Sequence, residues 1–169
     1  RILEEVTGHP YPKEGFVSSD IDWIRMGTTV ATNALLERKG AKTLLVITKG
    51  FGDLLQIGNQ NRPRIFDLEI RKPELLYQQV LEVNERVRIR RADDSLPGVV
   101  GTTGEEFLVL EKPNLEQVRN SLQEAKQAGV EAVAVVFLHA YAFPQHEQQV
   151  GALARKIGFA QVSLSHEVM

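Results

Sequence analysis

The sequence predicts a mixed α/β fold, mainly a parallel sheet with crossover helices, and three observations carry that prediction. Two segments, Thr43–Thr48 and Ala132–Leu138, run apolar without alternation, as strands covered on both faces do. Around them lie segments with apolar residues three and four apart, bounded by caps and glycines, which read as amphipathic helices. Near residues 60–113 this order lapses, and the prolines and period-2 patterning there predict a β-rich, antiparallel excursion from the sheet.

The elements follow in order. Arg1–Gly8 reads as the last turns of a helix with Gly8 past its end, His9–Gly15 as a loop, and Ile21–Met26 as a short strand. Val30–Lys39 reads as a helix with Ala31, Ala34 and Leu35 on its inner stripe. Thr28 or Thr29 caps it, Arg38 and Lys39 complement its dipole, and Gly40 closes it. With Thr43–Thr48 this makes a strand–helix–strand unit with a right-handed crossover. Lys49-Gly50-Phe51-Gly52 then turns into a short helix over Asp53–Ile57, ended by Gly58. Leu81–Arg90 and Phe107–Leu110 read as strands, and Ala92–Thr103 as a polar loop. Asn114 caps a helix over Leu115–Gln127, with Leu115, Val118, Leu122 and Ala125 facing inward and Gly129 at its end. Pro144 opens the last helix, whose inner face is Val150, Leu153, Ala154 and Ile157, with Gly158 after it. Ala160–Leu164 reads as the final strand.

Composition narrows the function classes. The 169 residues are the length of one domain, and 43% hydrophobic and 25% charged residues are ordinary for a soluble globular protein. A formal net charge of −2 gives no electrostatic case for nucleic acid or an anionic membrane. Glu85–Arg90 alternates charged and apolar residues, as the solvated face of an edge strand does. The absence of cysteine excludes disulfides, thiolate nucleophiles and cysteine metal sites, and makes the cytosol the expected compartment. No apolar run approaches the ~20 residues that span a bilayer. The start at Arg1, without an initiator Met, and the uncapped end at Met169 lead us to expect a piece of a longer chain.

The strongest candidate site is Gly27-Thr28-Thr29, at the opening of a helix. First-turn amides lack intrahelical partners there, and the dipole favours an anion. Thr32 and Asn33 add side-chain partners in the same turn, and Asn33 falls opposite the apolar stripe. The pattern is neither a phosphate loop ending in Lys-Ser/Thr nor the three-glycine dinucleotide turn, and a threonine-capped structural helix accounts for it as well. A second cluster, Lys49-Gly50-Phe51-Gly52-Asp53 followed by Gln56, Gln60 and Arg62, lies beyond the carboxyl end of a strand, where open α/β sheets bind ligands. A solvated loop explains it equally. His139, just past the strand ending at Leu138, is an acid or base candidate. Glu147, in the first turn of its helix beside His146, reads as a dipole-favoured carboxylate, and His9 and His166 as loop residues. His139 and His146 lack both one-turn spacing and a third ligand, so no metal site is predicted.

Four blocks together carry a family resemblance. They are Arg25–Gly40, Thr48–Gly58, Pro73–Tyr77 with Glu82–Val87, and Gln145–Arg155 with Val162–Val168. The chain resembles the N-terminal part of the hydantoinase A and 5-oxoprolinase family over nearly its whole length. The resemblance implies an ATP-dependent amidohydrolase that opens the lactam of 5-oxo-L-proline to L-glutamate with ADP and phosphate. It implies phosphorylation of the lactam oxygen, Mg²⁺ bridging the phosphates, a place in cytosolic glutathione recycling, and a homodimeric whole protein on an actin/sugar-kinase-like ATPase fold.

In that scheme Gly27, Thr28 and Thr29 contact phosphate or the substrate carboxylate, and Thr32 and Asn33 orient the reacting group. Lys49, Gln60 and Arg62 line the pocket rim. The family's Asp-x-Gly-Gly-Thr loop is expected upstream of Arg1 and the adenosine-binding half beyond Met169. Residues 1–169 are therefore expected to be one truncated piece, inactive alone. The Arg25–Gly40 block also fits an N-methylhydantoin hydrolase or an acetone-type carboxylase subunit. A different class, a non-catalytic assembly module, needs only a capped helix at Thr29.

Overall fold

The computed structural model describes residues 29–37, 40–58 and 74–168. Their elements, in chain order, are α1 (Val30–Leu36), β1 (Thr43–Thr48), α2 (Leu54–Ile57), β2 (Gln79–Val83), β3 (Arg86–Ile89), β4 (Val99–Val100), β5 (Glu106–Glu111), α3 (Leu115–Gln127), β6 (Ala132–Val136), α4 (Gln145–Ile157), β7 (Gln161–Leu164) and a 3₁₀ turn at Ser165–Glu167. Two compact units, residues 1–37 and 38–169, divide the chain, and α1 alone of these elements belongs to the first.

In the larger unit β1 is buried from Leu44 to Thr48, as its unbroken apolar run requires. It pairs in parallel with β2 on one side and β6 on the other, and β7 extends the sheet to the order β2-β1-β6-β7. Helices α3 and α4 contact each other, and their inner faces join the sheet in one core. Val118 and Leu122 come from α3, Val150 and Ala154 from α4, and Val46, Val133, Val135 and Leu164 from the strands. Asn114 Oδ1 accepts from the amides of Glu116 and Gln117, so the predicted cap of α3 is in place. At the other helix Gly158 adopts φ +92°, the left-handed conformation that ends α4 without steric cost.

The predicted excursion is a separate antiparallel sheet of order β3-β5-β4, packed on a small cluster of Val87, Phe107, Ala142 and Phe143. The single strand expected over Leu81–Arg90 is therefore two strands in two sheets. Asn84-Glu85 carries the chain between them, and no glycine or proline marks the change of direction. β3 is an edge strand, as its alternation predicted, but the arginines in and just after it are engaged. Arg88 grips Asp94 with two bonds of 2.7 and 2.5 Å, and Arg90 pairs with Glu106 at 3.0 Å.

In the smaller unit α1 ends at Leu36, short of the expected Lys39, and Thr29 precedes it without a side-chain capping bond. The predicted stripe is not a buried face: Ala34 is half-buried and Leu35 is 55% exposed. The expected helix end at Arg1–Gly8 and the strand at Ile21–Met26 lie outside the described residues, so the crossover they would complete is not described either. Among the described residues no helix is long and apolar enough to cross a membrane.

Two outcomes follow from this packing. A Cβ added to Gly151 would stand 2.7 Å from Leu164 Cδ2, and Leu164 is itself fully buried. Helix propensity favours alanine by about 1 kcal/mol, whereas overpacking costs about 1–3 kcal/mol. Gly151→Ala is thus expected to lower the urea midpoint, and a raised midpoint would contradict the contact. The Arg88 guanidinium, then the Arg91 amide, hold the Asp94 carboxyl well below the usual carboxylate range. A depressed folded-state pKa contributes stability above the unfolded value, near 4, and that stability is lost as pH falls through the folded value. The stability advantage over Asp94→Asn, followed by urea unfolding, should be full at neutral pH and shrink progressively below about pH 4.

Candidate functional site

The chain leaves β1 toward β2 on one side, while β6 lies on the other, so the switch point of the sheet falls between β1 and β6. Thr48, the last residue of β1, stands at this point and is wholly buried. Its hydroxyl accepts from Leu138 N at 3.1 Å and donates to Glu85 Oε1. The other oxygen of Glu85 meets His146 Nδ1 at 2.7 Å. Glu85 and His146 are 2% and 4% exposed, so this chain of polar groups is internal and joins the sheet-to-sheet crossing to the first turn of α4.

The next residue of α4 anchors a second cluster. Glu147 Oε1 accepts from Phe137 N at 2.8 Å and Ser165 Oγ at 2.7 Å, and Oε2 from His166 N at 3.2 Å, with His166 Nδ1 at 2.7 Å. This fully buried carboxylate ties the end of β6 to the turn after β7. Glu147 does stand in the first turn of α4, where a carboxylate favours the dipole, but it is also a buried hub, and His166, read as a loop residue, is bound to it. One signal in the sequence pointed there. Carried back one turn, the inner face Val150, Leu153 and Ala154 reaches His146 and Glu147, which stand three, four and seven residues earlier.

Beyond Thr48, the Lys49–Gly52 loop is also tied down. Gly50 N and Gly52 N donate to Glu82 Oε1 at 2.9 and 3.1 Å. Arg86 donates to Lys49 O at 2.8 Å and lies 5.2 Å from the centre of the Phe51 ring. A cleft of about 200 Å³ opens beside the loop, lined among others by Lys49, Glu82, Asn84, Asn114, Gln117 and Ser121. The Lys49 ammonium and the Glu82 carboxylate stand there among amide and hydroxyl side chains, a lining that offers both donors and acceptors to a small polar ligand.

The structure brings Lys49 together with this cleft. Thr29, just before α1, and Thr32 and Asn33 on it are exposed in the other unit, and Gly27, Thr28, Gln60 and Arg62 lie outside the described residues. His139 sits in a turn at φ +61°, its ring centre 5.8 Å from that of Phe107 and 6.2 Å from that of Tyr141, and among the described residues no carboxylate bonds to it.

With that geometry established, comparison with known proteins is decisive. Residues 1–158 match the family model of the hydantoinase/oxoprolinase N-terminal region. The chain belongs to the hydantoinase/oxoprolinase family. The 5-oxoprolinase of Dictyostelium discoideum is 50% identical to it over 100% of this chain and 14% of that protein. For 5-oxoprolinase 1 of Arabidopsis thaliana the identity is 50% over 98% of this chain and 13% of that protein. The chain thus spans about 14% of the length of a full relative. Among solved structures, the ATP-dependent caprolactamase of Pseudomonas jessenii is similar in fold, with a TM-score of 0.64 at 22% identity over 98% of this chain and 22% of that one.

Thr48→Val removes both hydroxyl bonds of the β1 terminus, leaving Leu138 N and Glu85 short of a partner. The expected loss is about 1–3 kcal/mol, with Thr48→Ser retaining most of the stability. A double-mutant cycle of Thr48→Val with Glu85→Gln should show coupling above about 0.5 kcal/mol. Strict additivity would mean the two groups do not act as one network.

Proposed function

We propose that the protein containing this chain opens the lactam of 5-oxo-L-proline to L-glutamate with ADP and phosphate, as an ATP-dependent cyclic amide hydrolase. The observation that carries this reading is the 50% identity, along the whole chain, to proteins named 5-oxoprolinase in Dictyostelium and Arabidopsis. A caprolactamase named as ATP-dependent, similar in fold, supports the use of ATP on a cyclic amide.

The chemistry explains why ATP is needed. Amide conjugation, reflected in a rotation barrier of ~18–20 kcal/mol, makes the lactam carbonyl a poor electrophile. Moving the γ-phosphoryl group to the lactam oxygen removes that conjugation and prepares the carbon for water. In our reading Gly27, Thr28 and Thr29 contact phosphate or the substrate carboxylate, Thr32 and Asn33 orient the reacting group, and Lys49, Gln60 and Arg62 line the rim. That Thr29 is exposed and forms no side-chain capping bond fits this assignment, because its hydroxyl does not occupy the opening amides of α1.

Mg²⁺ enters this reading with the nucleotide, bridging its phosphates, as the family resemblance implies. Residues 1–169 form one piece of the N-terminal domain in this scheme. The whole protein is a cytosolic homodimer on an actin/sugar-kinase-like ATPase fold that serves glutathione recycling, with neither nucleic acid nor a membrane as partner.

The full-length protein given ATP and 5-oxoproline should release glutamate, ADP and phosphate in equal amounts. Asn33→Ala, at an exposed position, should leave thermal unfolding unchanged and lower kcat by about 10²-fold. Absence of glutamate from the wild-type reaction would refute the substrate, and undiminished turnover by the variant would remove Asn33 from the site.

A further inference from the structure

Two opposite charges line the cleft beside the Lys49–Gly52 loop without neutralising each other. Lys49 follows β1 and Glu82 lies in β2, yet among the described residues no ion pair joins them, and the Lys49 ammonium makes no hydrogen bond. Glu82 is engaged through one oxygen. Oε1 accepts from the amides of Gly50 and Gly52 at 2.9 and 3.1 Å, whereas Oε2 has no hydrogen-bond partner among the described residues. The backbone of Lys49 is fixed as well, by its amide on Val83 O at 2.9 Å and by Arg86 on its carbonyl at 2.8 Å. Both charges are thus held on anchored positions, which reduces the ordering entropy lost when a ligand joins them.

The rest of the polar lining is amide and hydroxyl. Asn114 uses Oδ1 to cap α3, so its NH₂ group is left to donate, and the side chains of Asn84, Gln117 and Ser121 bond to no other described residue. At about 200 Å³ the cleft is smaller than the roughly 300–1,000 Å³ that holds a drug-sized molecule, and suits a ligand the size of one amino acid. A second cleft, at the ends of α3 and α4, contrasts with it. Arg119, Lys126 and Lys156 line that one without a carboxylate, so it offers no charge to a cationic group.

We propose that the cleft between β2 and α3 binds a free α-amino acid as its zwitterion and, resting on the function proposed above, that this amino acid is the product, L-glutamate. The α-carboxylate pairs with Lys49 and the α-ammonium with Glu82 Oε2, while the side-chain carboxylate accepts from the Asn114 amide and the Ser121 hydroxyl. 5-Oxo-L-proline carries no ammonium, because its nitrogen is held in the lactam. Ring opening creates that group. Substrate in this cleft would leave Glu82 Oε2 desolvated and unpaired, so the cleft takes product over substrate by the cationic group that the reaction forms.

The test uses the full-length protein, without ATP, titrated calorimetrically with L-glutamate and with glutarate, which differs only in lacking the α-ammonium. The wild type is expected to bind glutamate about five- to tenfold more tightly than glutarate. Glu82→Gln keeps an acceptor for Gly50 N and Gly52 N, and should erase that preference while thermal unfolding stays as in the wild type. Lys49→Gln should weaken both ligands about fivefold and keep the preference, a split that general damage to the fold would not produce. Equal affinity of the wild type for the two, binding of neither, or a preference that survives Glu82→Gln overturns the inference and leaves the proposed function standing. The expected binding by a protein that forms no glutamate from 5-oxoproline overturns that function and leaves the amino-acid site standing.

Discussion

The structure depends on two acidic side chains buried away from the surface, Glu85 and Glu147. A buried charge left without partners is destabilising by about 3–5 kcal/mol, so Glu85 and Glu147 constrain everything that touches them. Both are held by hydrogen bonds from strand ends or the turns just beyond them, and both involve the first turn of α4. Successive residues of a helix point about 100° apart, which lets His146 reach Glu85 on the β1 side while Glu147 reaches the ends of β6 and β7. One helical turn therefore fixes the spacing of β1, β6 and β7 where their carboxyl ends come together.

That constraint also accounts for the way the two sheets meet. Glu85 follows Asn84 at the point where the chain leaves β2 for β3, and its bond to Thr48 keeps this crossing against the end of β1. The bond from Lys49 N to Val83 O, at 2.9 Å, continues the β1–β2 ladder one step further. Glu82 then fills the amides of Gly50 and Gly52, so the loop carrying Lys49 is fixed by its own neighbours before any ligand arrives. Preorganisation of this kind is what a binding loop needs if little ordering entropy is to be lost on association.

Most of the fold was legible because its signals are local. Thr43–Thr48, Leu115–Gln127 and Gln145–Ile157 have the expected bounds, set by an unbroken apolar run, an Asn114 cap, and the Pro144 and Gly158 pair. The break at Asn84-Glu85 was hidden because charged and apolar residues keep alternating through it, and the reason for the break, a buried partner on β1, is 37 residues away. Glu147 was hidden differently. A glutamate in a first turn has a sufficient local explanation in the helix dipole, and nothing nearby in sequence announces His166, 19 residues on. Of the site residues, Lys49 stands where the strand-end rule put it. Thr29 follows the opposite pattern: its sequence context fits a cap, yet α1 starts without a side-chain capping bond.

Glu147 shows how far that constraint reaches. Two of its four bonds, from Phe137 N and Ser165 Oγ, go to one oxygen and tie the end of β6 to the turn after β7. The other oxygen accepts from the His166 amide, with His166 Nδ1 at 2.7 Å, so the same turn is held from a second direction. A side chain with one acceptor oxygen could serve the first pair or the second but not both, and would leave a buried donor without a partner at a cost of about 1–3 kcal/mol. Both oxygens of Glu147 are therefore needed to hold the two strand ends in their present spacing.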